Sequence, residues 1–336
     1  MIPLRVLSLF DGISCGQVAL ERAGIPVEVY YASEIDKYAI QITQNNYPNT
    51  IQLGDVTNID FTQFIGKIDL IMGGSPCQDL SIAGKRAGLQ GERSGLFYKF
   101  VEAIETIKPK YFLLENNVGM PRDAYEEISR LMGCYPIEIN SALVSAQTRK
   151  RFYWTNIGPQ DHNLFGFPIV AIPQPINKGI LLKDVLESGY AEIQQGECMD
   201  LTYLNSKTRR GRAMKEKCNC LQTQSEFYQY LEPLQIGHIS NTNVQANRVY
   251  SVHNKSVTLK ANGGGGGAKT GLYKIDLPDG EYLIRKLTPI ECERLQTLPD
   301  NYTEGVSNTQ RYKAIGNGWT VDVIAHIFSF LKAEEK

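Results

Sequence analysis

The sequence predicts an α/β protein built on a doubly wound, mostly parallel sheet, with a second, smaller and irregular β-rich domain. Three observations carry this. Residues 1–158 alternate short apolar runs with helix-like segments, the apolar runs end in glycine, acidic or amide residues, and beyond about residue 159 the texture turns polar, glycine-rich and short-stranded. Alternation of this kind gives parallel strands covered by helices on both faces, and in such sheets ligands gather beyond the carboxyl ends of the strands.

The elements follow in order. Residues 6–10 form an apolar run that ends in a glycine-bearing turn, and 18–23 read as helix. A second strand is expected over 27–32, a helix over 37–46, a third strand over 51–53 ending at Gly54-Asp55, and a fourth over 68–72 ending at Gly73-Gly74. Residues 96–107 have amphipathic helical spacing and stop before Pro109; 111–114 make a fifth strand ending at Glu115-Asn116. A helix is expected over 121–132 with Pro121 in its first turn, and a strand over 152–157. Four prolines in 159–178 interrupt this rhythm; 286–296 return to a helical pattern, and 320–332 form an amphipathic helix expected to fold back onto the first domain. The boundaries read as 1–172, 173–284 and a return segment, 285–336.

Composition bounds the function. The chain has 336 residues, of which 42% are hydrophobic and 21% charged, enough for a sizeable core and too few charges for a disordered chain. Its 35 basic and 36 acidic residues leave a net charge of −1, so any nucleic-acid contact must use a local patch instead of a global field. The seven cysteines are odd in number and irregularly spaced, which fits a reducing cytoplasm. Cys218 and Cys220, with four scattered histidines, lack zinc-site spacing, so no metal is expected. The N-terminus has no signal-peptide pattern, and no apolar run reaches the length of a membrane span.

Several strand ends carry chemistry. Phe10-Asp11-Gly12-Ile13-Ser14-Cys15-Gly16 can bring a ligand to the backbone and a helix N-terminus, although a plain tight turn would read the same. Glu34, 22 residues past Gly12, suits ribose hydroxyls, and Asp55 suits an adenine amino group; both could equally be solvated loop acids. Gly74-Ser75-Pro76-Cys77-Gln78 follows a buried strand, so Cys77 is expected at the mouth of the site. Cysteine is commonly a structural hydrophobe, but small polar neighbours and a preceding proline favour a nucleophilic thiolate. Glu115 is expected beside Cys77 in the sheet. Gln147-Thr148-Arg149-Lys150-Arg151 precedes the next strand, and a solvated charge run is the alternative for it. An acid and an arginine near a thiol suggest attack on a polar heteroaromatic ring.

Together these stretches resemble the cytosine-C5 DNA methyltransferase family. Phe10-Asp11-Gly12, Gly74-Ser75-Pro76-Cys77-Gln78, Glu115-Asn116, Gln147-Thr148-Arg149-Lys150-Arg151 and Ala314-Ile315-Gly316-Asn317-Gly318 stand in the family's order and spacing. Residues 285–292 resemble its segment returning from target recognition. The N-terminal part is similar to the catalytic domain of the animal de novo enzymes, and the compact size is more like bacterial and phage members. The sequence departs from the family at Asn117, where an apolar residue is usual, and at Asp11, Ser14 and Cys15, where small residues are common.

The resemblance implies the S-adenosylmethionine-dependent methyltransferase fold and transfer of a methyl group to C5 of a flipped-out cytosine in duplex DNA, leaving S-adenosylhomocysteine. Cys77 would attack C6, Glu115 would hold or protonate N3, and Arg149 would bind the O2 side, with Arg151 in the same catalytic cluster. Phe10, Asp11, Gly12, Ile13, Cys15, Glu34, Ile35, Asp55, Val56, Pro76, Leu96, Asn317 and Trp319 would surround the cofactor. The target base must leave the helix to be reached. Residues 78–95 would form a lid over DNA, with Gln78, Ser81, Lys85, Arg86 and Arg93 as contacts. Thr258, Leu259 and Gly264 resemble the recognition-loop element, and Lys207, Arg209, Arg210, Arg212, Lys215 and Lys217 offer phosphate contacts or a solvated helix face. A monomer is expected, in the cytoplasm and at the nucleoid of a bacterial or phage-infected cell, with a cognate restriction endonuclease as a partner in a restriction-modification setting. Two alternatives stand beside this: an RNA (tRNA) cytosine-C5 methyltransferase on the same fold, and a catalytically inactive DNA-binding regulator.

Overall fold

The computed structural model describes residues 2–74, 95–187, 232–238, 247–260, 271–276 and 282–331. Strands β1 (Leu4–Leu9), β2 (Val27–Ser33), β3 (Ile51–Gln52), β4 (Leu70–Gly73), β5 (Tyr111–Asn117), β6 (Ile137–Asn140) and β7 (Lys150–Thr155) form one sheet in the order β3-β2-β1-β4-β5-β7-β6. The first five run parallel, and β7 is antiparallel to both of its neighbours. β1 and β4 are apolar along nearly their whole length because both faces of the sheet are covered. The Arg5 guanidinium, at the start of β1, donates to both oxygens of Asp69 just before β4, at 2.9 and 2.8 Å, and so ties the two strand starts together.

Strand order reverses between β1 and β4, the place where a doubly wound sheet opens a crevice at its carboxyl edge. Helices α1 (Cys15–Ala23), α2 (Lys37–Asn46), α3 (Gly95–Ile107) and α4 (Arg122–Met132) connect the strands. α1 stops at Gly24, whose φ of 66° is the left-handed conformation that a C-terminal glycine adopts without strain. Asp36 caps α2 by accepting from the Tyr38 amide at 2.9 Å. Pro121 stands as the N-cap of α4 and not inside its first turn, with an extended ψ of 152°.

A second sheet takes the order β10-β11-β12-β13, from β10 (Gln235–His238), β11 (Arg248–Ser251), β12 (Leu272–Asp276) and β13 (Tyr282–Arg285). Its central pair is parallel and its outer pairs antiparallel. Tyr250, Tyr273 and Ile275 of this sheet share a core with Cys292 and Leu295 of α5 (Pro289–Leu295) and Ile315 of α6 (Asn308–Asn317). α7 (Val321–Phe328) packs against α1, as expected of the last helix, and Asp322 there accepts from Arg22 and Lys178 at 2.5 and 2.6 Å. The return segment therefore belongs to both cores: Leu298, Tyr302, Val321 and Ile324 join the large one. Three elements go beyond the sequence reading: β6, α6 and a hairpin of β8 (Gln160–His162) and β9 (Pro168–Val170).

Candidate active site at the carboxyl edge of the sheet

The crevice is built from strand ends. β1 runs into Phe10 and Gly12, both left-handed at φ 58° and 61°, and this double reversal turns the chain from strand to helix. The Gly12 amide donates to Glu34 Oε2 at 2.8 Å, while Oε1 accepts from the Ile35 and Asp36 amides at 2.7 and 2.8 Å. Three of a carboxylate's roughly four lone-pair positions are thereby occupied, which fixes Glu34 and leaves it able to accept from a ligand hydroxyl. Beside it Ile35 is 74% exposed, an unusual condition for a large aliphatic side chain at a cleft. Gly12 and Gly54 have no atom within 4 Å of where a Cβ would stand, so the backbone at the ends of β1 and β3 is open to close approach. Asp55 is exposed and fixed by the Thr57 amide and hydroxyl at 2.9 and 2.8 Å, bonds that hold its carboxyl below the usual range.

Not every residue expected around the cofactor offers a surface. The side chains of Ile13, Cys15 and Val56 are buried in the core, and burial pushes the Cys15 thiol up to about 12, which keeps it protonated. Asp11 is turned inward, accepting from the Tyr30 hydroxyl at 2.7 Å and from the Ser14 hydroxyl. Desolvation raises its pKa, and hydrogen bonds from Ser14, Ser8 and Tyr30 oppose the rise. Phe10, Gly12, Glu34, Ile35, Asp55, Leu96, Asn317 and Trp319 keep accessible surface. With paired acids at two strand ends, open glycines and an exposed aliphatic between them, these residues fit a nucleoside-bearing cofactor. Among the described residues no group of three or more His, Cys, Asp or Glu side chains could hold a metal ion, and no helix is long and apolar enough to cross a membrane.

The reactive end lies one strand further on. Glu115 and Asn117 of β5 oppose Tyr153 and Arg151 of β7 in an antiparallel register, which puts all four on one face of the sheet. Arg151 Nε stands 2.8 Å from Glu115 Oε1, with side-chain exposures of 18% and 12%. Trp319 Nε1 donates to the other oxygen, Oε2, at 3.2 Å. A Cβ on Gly74, at the end of β4, would lie 2.9 Å from Glu115 Oε2 and 3.0 Å from Trp319 Nε1. The chain leading to Cys77 thus leaves the sheet in contact with this acid. Cys77 itself lies outside the described residues, as do Pro76, Gln78, Ser81, Lys85, Arg86, Arg93, Gly264 and the basic cluster from Lys207 to Lys217.

Arg149 is placed differently from the expectation that it reaches the substrate. It is 5% exposed, and its guanidinium donates to the carbonyls of Leu259, Gly316 and Gly318 at 3.1, 3.3 and 3.0 Å. The expected recognition element is stitched to the same segment. Thr148 N donates to Ser256 O at 3.1 Å, Thr258 Oγ1 to Thr148 O at 2.5 Å, and Leu259 is buried. The Leu259 side chain therefore packs into the core at the base of its loop. The resemblance implies both Arg149 and Arg151 in the catalytic cluster; of the two it is Arg151 that pairs with Glu115.

Comparison with known families agrees with this arrangement. Residues 4–131 and 139–333 match the C-5 cytosine-specific DNA methylase family. The chain belongs to that family. As a C-5 cytosine methylase it is similar to the type II methyltransferase M.Bsp6I of Bacillus sp. (strain RFL6), at 30% identity over 96% of this chain and 97% of the other. It is likewise similar to the type II methyltransferase M.HhaI of Haemophilus parahaemolyticus, at 28% identity over 96% and 93%. The methylase fold is shared with a solved methyltransferase of Entamoeba histolytica, at a TM-score of 0.68 and 14% identity, with both chains covered in full.

Proposed function

We propose that this C-5 cytosine methylase transfers a methyl group from S-adenosylmethionine to C5 of a cytosine flipped out of duplex DNA, through a covalent bond between Cys77 and C6. The observation that carries this reading is the Glu115 carboxylate, gripped by Arg151 and in contact with the strand end that leads to Cys77. Carbon 5 of cytosine is a poor nucleophile until the ring's aromaticity is broken. The Cys77 thiolate adds to C6, and the displaced electron pair moves through the ring toward N3 and O2. Glu115 meets N3, so the charge arriving there is matched by a proton. Arg151 is assigned the O2 side because its Nε already lies on the acid, and donors aimed at developing charge act most strongly in a site closed to water. Arg149 holds the framework behind it.

Glu34 would take the ribose hydroxyls of S-adenosylmethionine, Asp55 the adenine amino group, and Ile35 would cover the adenine face. When bound, this cofactor supplies the sulfonium methyl group that the activated C5 requires. Loss of the C5 proton to water then restores the ring and expels the Cys77 sulfur. Residues 78–95 would close over the DNA, and residues 173–284 would read the target sequence. A restriction endonuclease partner and a place at the nucleoid belong to the same proposal, in keeping with the type II names of the relatives. An RNA substrate is not favoured, because the matched family is one of DNA methylases.

The test is methyl transfer to labelled duplex DNA and to total tRNA side by side, with bisulfite sequencing of DNA from expressing cells. The proposal expects 5-methylcytosine at one short recurring DNA site. Methylated tRNA with unmodified DNA would overturn it.

A further inference from the structure

Glu115 has a second fixed partner, supplied from the other end of the chain. Trp319 reaches it across 204 residues of sequence, and its indole N–H meets Oε2 while Arg151 occupies Oε1. The residues on either side of the indole are themselves held by hydrogen bonds. The Gly318 carbonyl accepts from Arg149 at 3.0 Å and from Gln296 Nε2 at 3.2 Å. Thr320 Oγ1 accepts from Ser141 Oγ at 2.9 Å and donates to Gln296 Oε1 at 2.8 Å. Gly74 stands on the third side, where a Cβ would come within 2.9 Å of Glu115 Oε2 and 3.0 Å of Trp319 Nε1, so glycine leaves the space in which the two meet.

We propose that Trp319 is a positioning residue for Glu115: its indole N–H holds Oε2 so that the carboxyl group presents one fixed geometry to the cytosine ring. This rests on the catalytic part given above to Glu115. An indole that served only as a wall of the cofactor crevice would need no donor on the acid, and a phenyl ring would replace it. Among the described residues, the charged and titratable groups facing Glu115 are Arg151 on the same sheet face and Tyr153 in register with it, with Arg149 further back. Trp319 adds a neutral donor to the oxygen that Arg151 Nε does not hold, so losing it frees that oxygen without changing the charge of the site.

The experiment compares Trp319→Phe, which keeps an aromatic ring and removes the donor, with wild type and Glu115→Gln. The expected result for Trp319→Phe is a kcat lower by about ten- to a hundredfold, the loss of one hydrogen bond to a charged acceptor. Its KM for S-adenosylmethionine should stay within about threefold of wild type, so the loss falls on kcat and not on cofactor binding. A raised cofactor KM at wild-type kcat, or unchanged kinetics, would overturn the inference. If Glu115→Gln kept wild-type kcat, the underlying assignment of Glu115 would fail instead, so the two failures are distinguishable. Should Trp319→Phe not fold, Gly74→Ala tests the same contact by crowding Oε2 and Nε1. It must then lower kcat with the cofactor KM within about threefold of wild type; wild-type kcat from that variant would count against the proposal.

Discussion

Exchanging the parts of the two arginines is the sharpest consequence of the geometry, and Arg149→Met against Arg151→Gln tests it. In Arg149→Met the carbonyls of Leu259 and Gly316 lose a buried donor, while Gly318 keeps Gln296. Each buried acceptor left without that donor costs roughly 1–3 kcal/mol. The two together come to about 2–6 kcal/mol, partly offset because a buried charge is no longer desolvated. At about 2.1 cal/mol/K of unfolding entropy per residue, 336 residues shift by about 1.4 °C per kcal/mol, so Arg149→Met should melt about 2–8 °C below wild type. Below its melting range it should keep methyl transfer within about tenfold of wild type. Arg151 and Glu115 are 18% and 12% exposed, so Arg151→Gln leaves a largely buried carboxylate without its ion pair and should cost roughly 1–3 kcal/mol of stability. Its kcat should nevertheless fall by about 10²–10³, the usual effect of removing one donor aimed at developing charge. Thermal melting and single-turnover methyl transfer measure both quantities. An Arg149→Met that melts with wild type yet loses transfer as deeply as Arg151→Gln would refute the reasoning.

Two further outcomes follow from other parts of the structure. Glu34→Gln removes the charge that accepts from three backbone amides and, in this account, from the ribose, so calorimetry should show cofactor affinity weakened by about tenfold or more, with kcat at saturation little changed. Lys255 is buried, donates to the Ser145 carbonyl at 2.9 Å and to the Ile180 carbonyl, and burial lowers its pKa to about 8 against the weaker opposing pull of Asp184. An unfolded chain keeps lysine at its ordinary, higher pKa, so between the two values it binds more protons than the folded one, and stability rises with pH. Relative to Lys255→Met, wild type should therefore gain about 1–2 kcal/mol between pH 8 and 9.5 in urea titrations; a constant difference would contradict the placement of that ammonium.

The sheet was legible where burial on both faces left a mostly apolar run, as in Leu4–Leu9 and Leu70–Gly73. α2, expected over 37–46, runs over Lys37–Asn46. α6 was not, since only Ile315 and Gly316 in it are buried and no apolar face repeats along its ten residues. β6 has only four residues and follows a proline, and its pairing with β7 is a long-range fact that local pattern does not carry. At the site, Glu34, Asp55 and Glu115 were readable because a strand end announces them. The different placing of Arg149 and Arg151 was not, because two basic residues two positions apart look alike until their remote partners are known, the Leu259, Gly316 and Gly318 carbonyls for one and Glu115 for the other. The turn of Asp11 toward Tyr30 and the reach of Trp319 to Glu115 likewise depend on partners remote in sequence.

The central claim, a sulfur of this chain bonded to carbon 6 of an extrahelical cytosine, is tested most directly by chemical trapping. Duplex DNA in which cytosine is replaced by 5-fluorocytosine offers the same ring with a fluorine where the departing proton would be, so the sulfur cannot be expelled once C5 is methylated. With S-adenosylmethionine supplied, the account predicts a complex that survives denaturing electrophoresis, maps by peptide sequencing to Cys77, and is absent from Cys77→Ala. Methyl transfer that proceeds on ordinary DNA while the fluorinated duplex yields no adduct, or an adduct through any other residue, would contradict it.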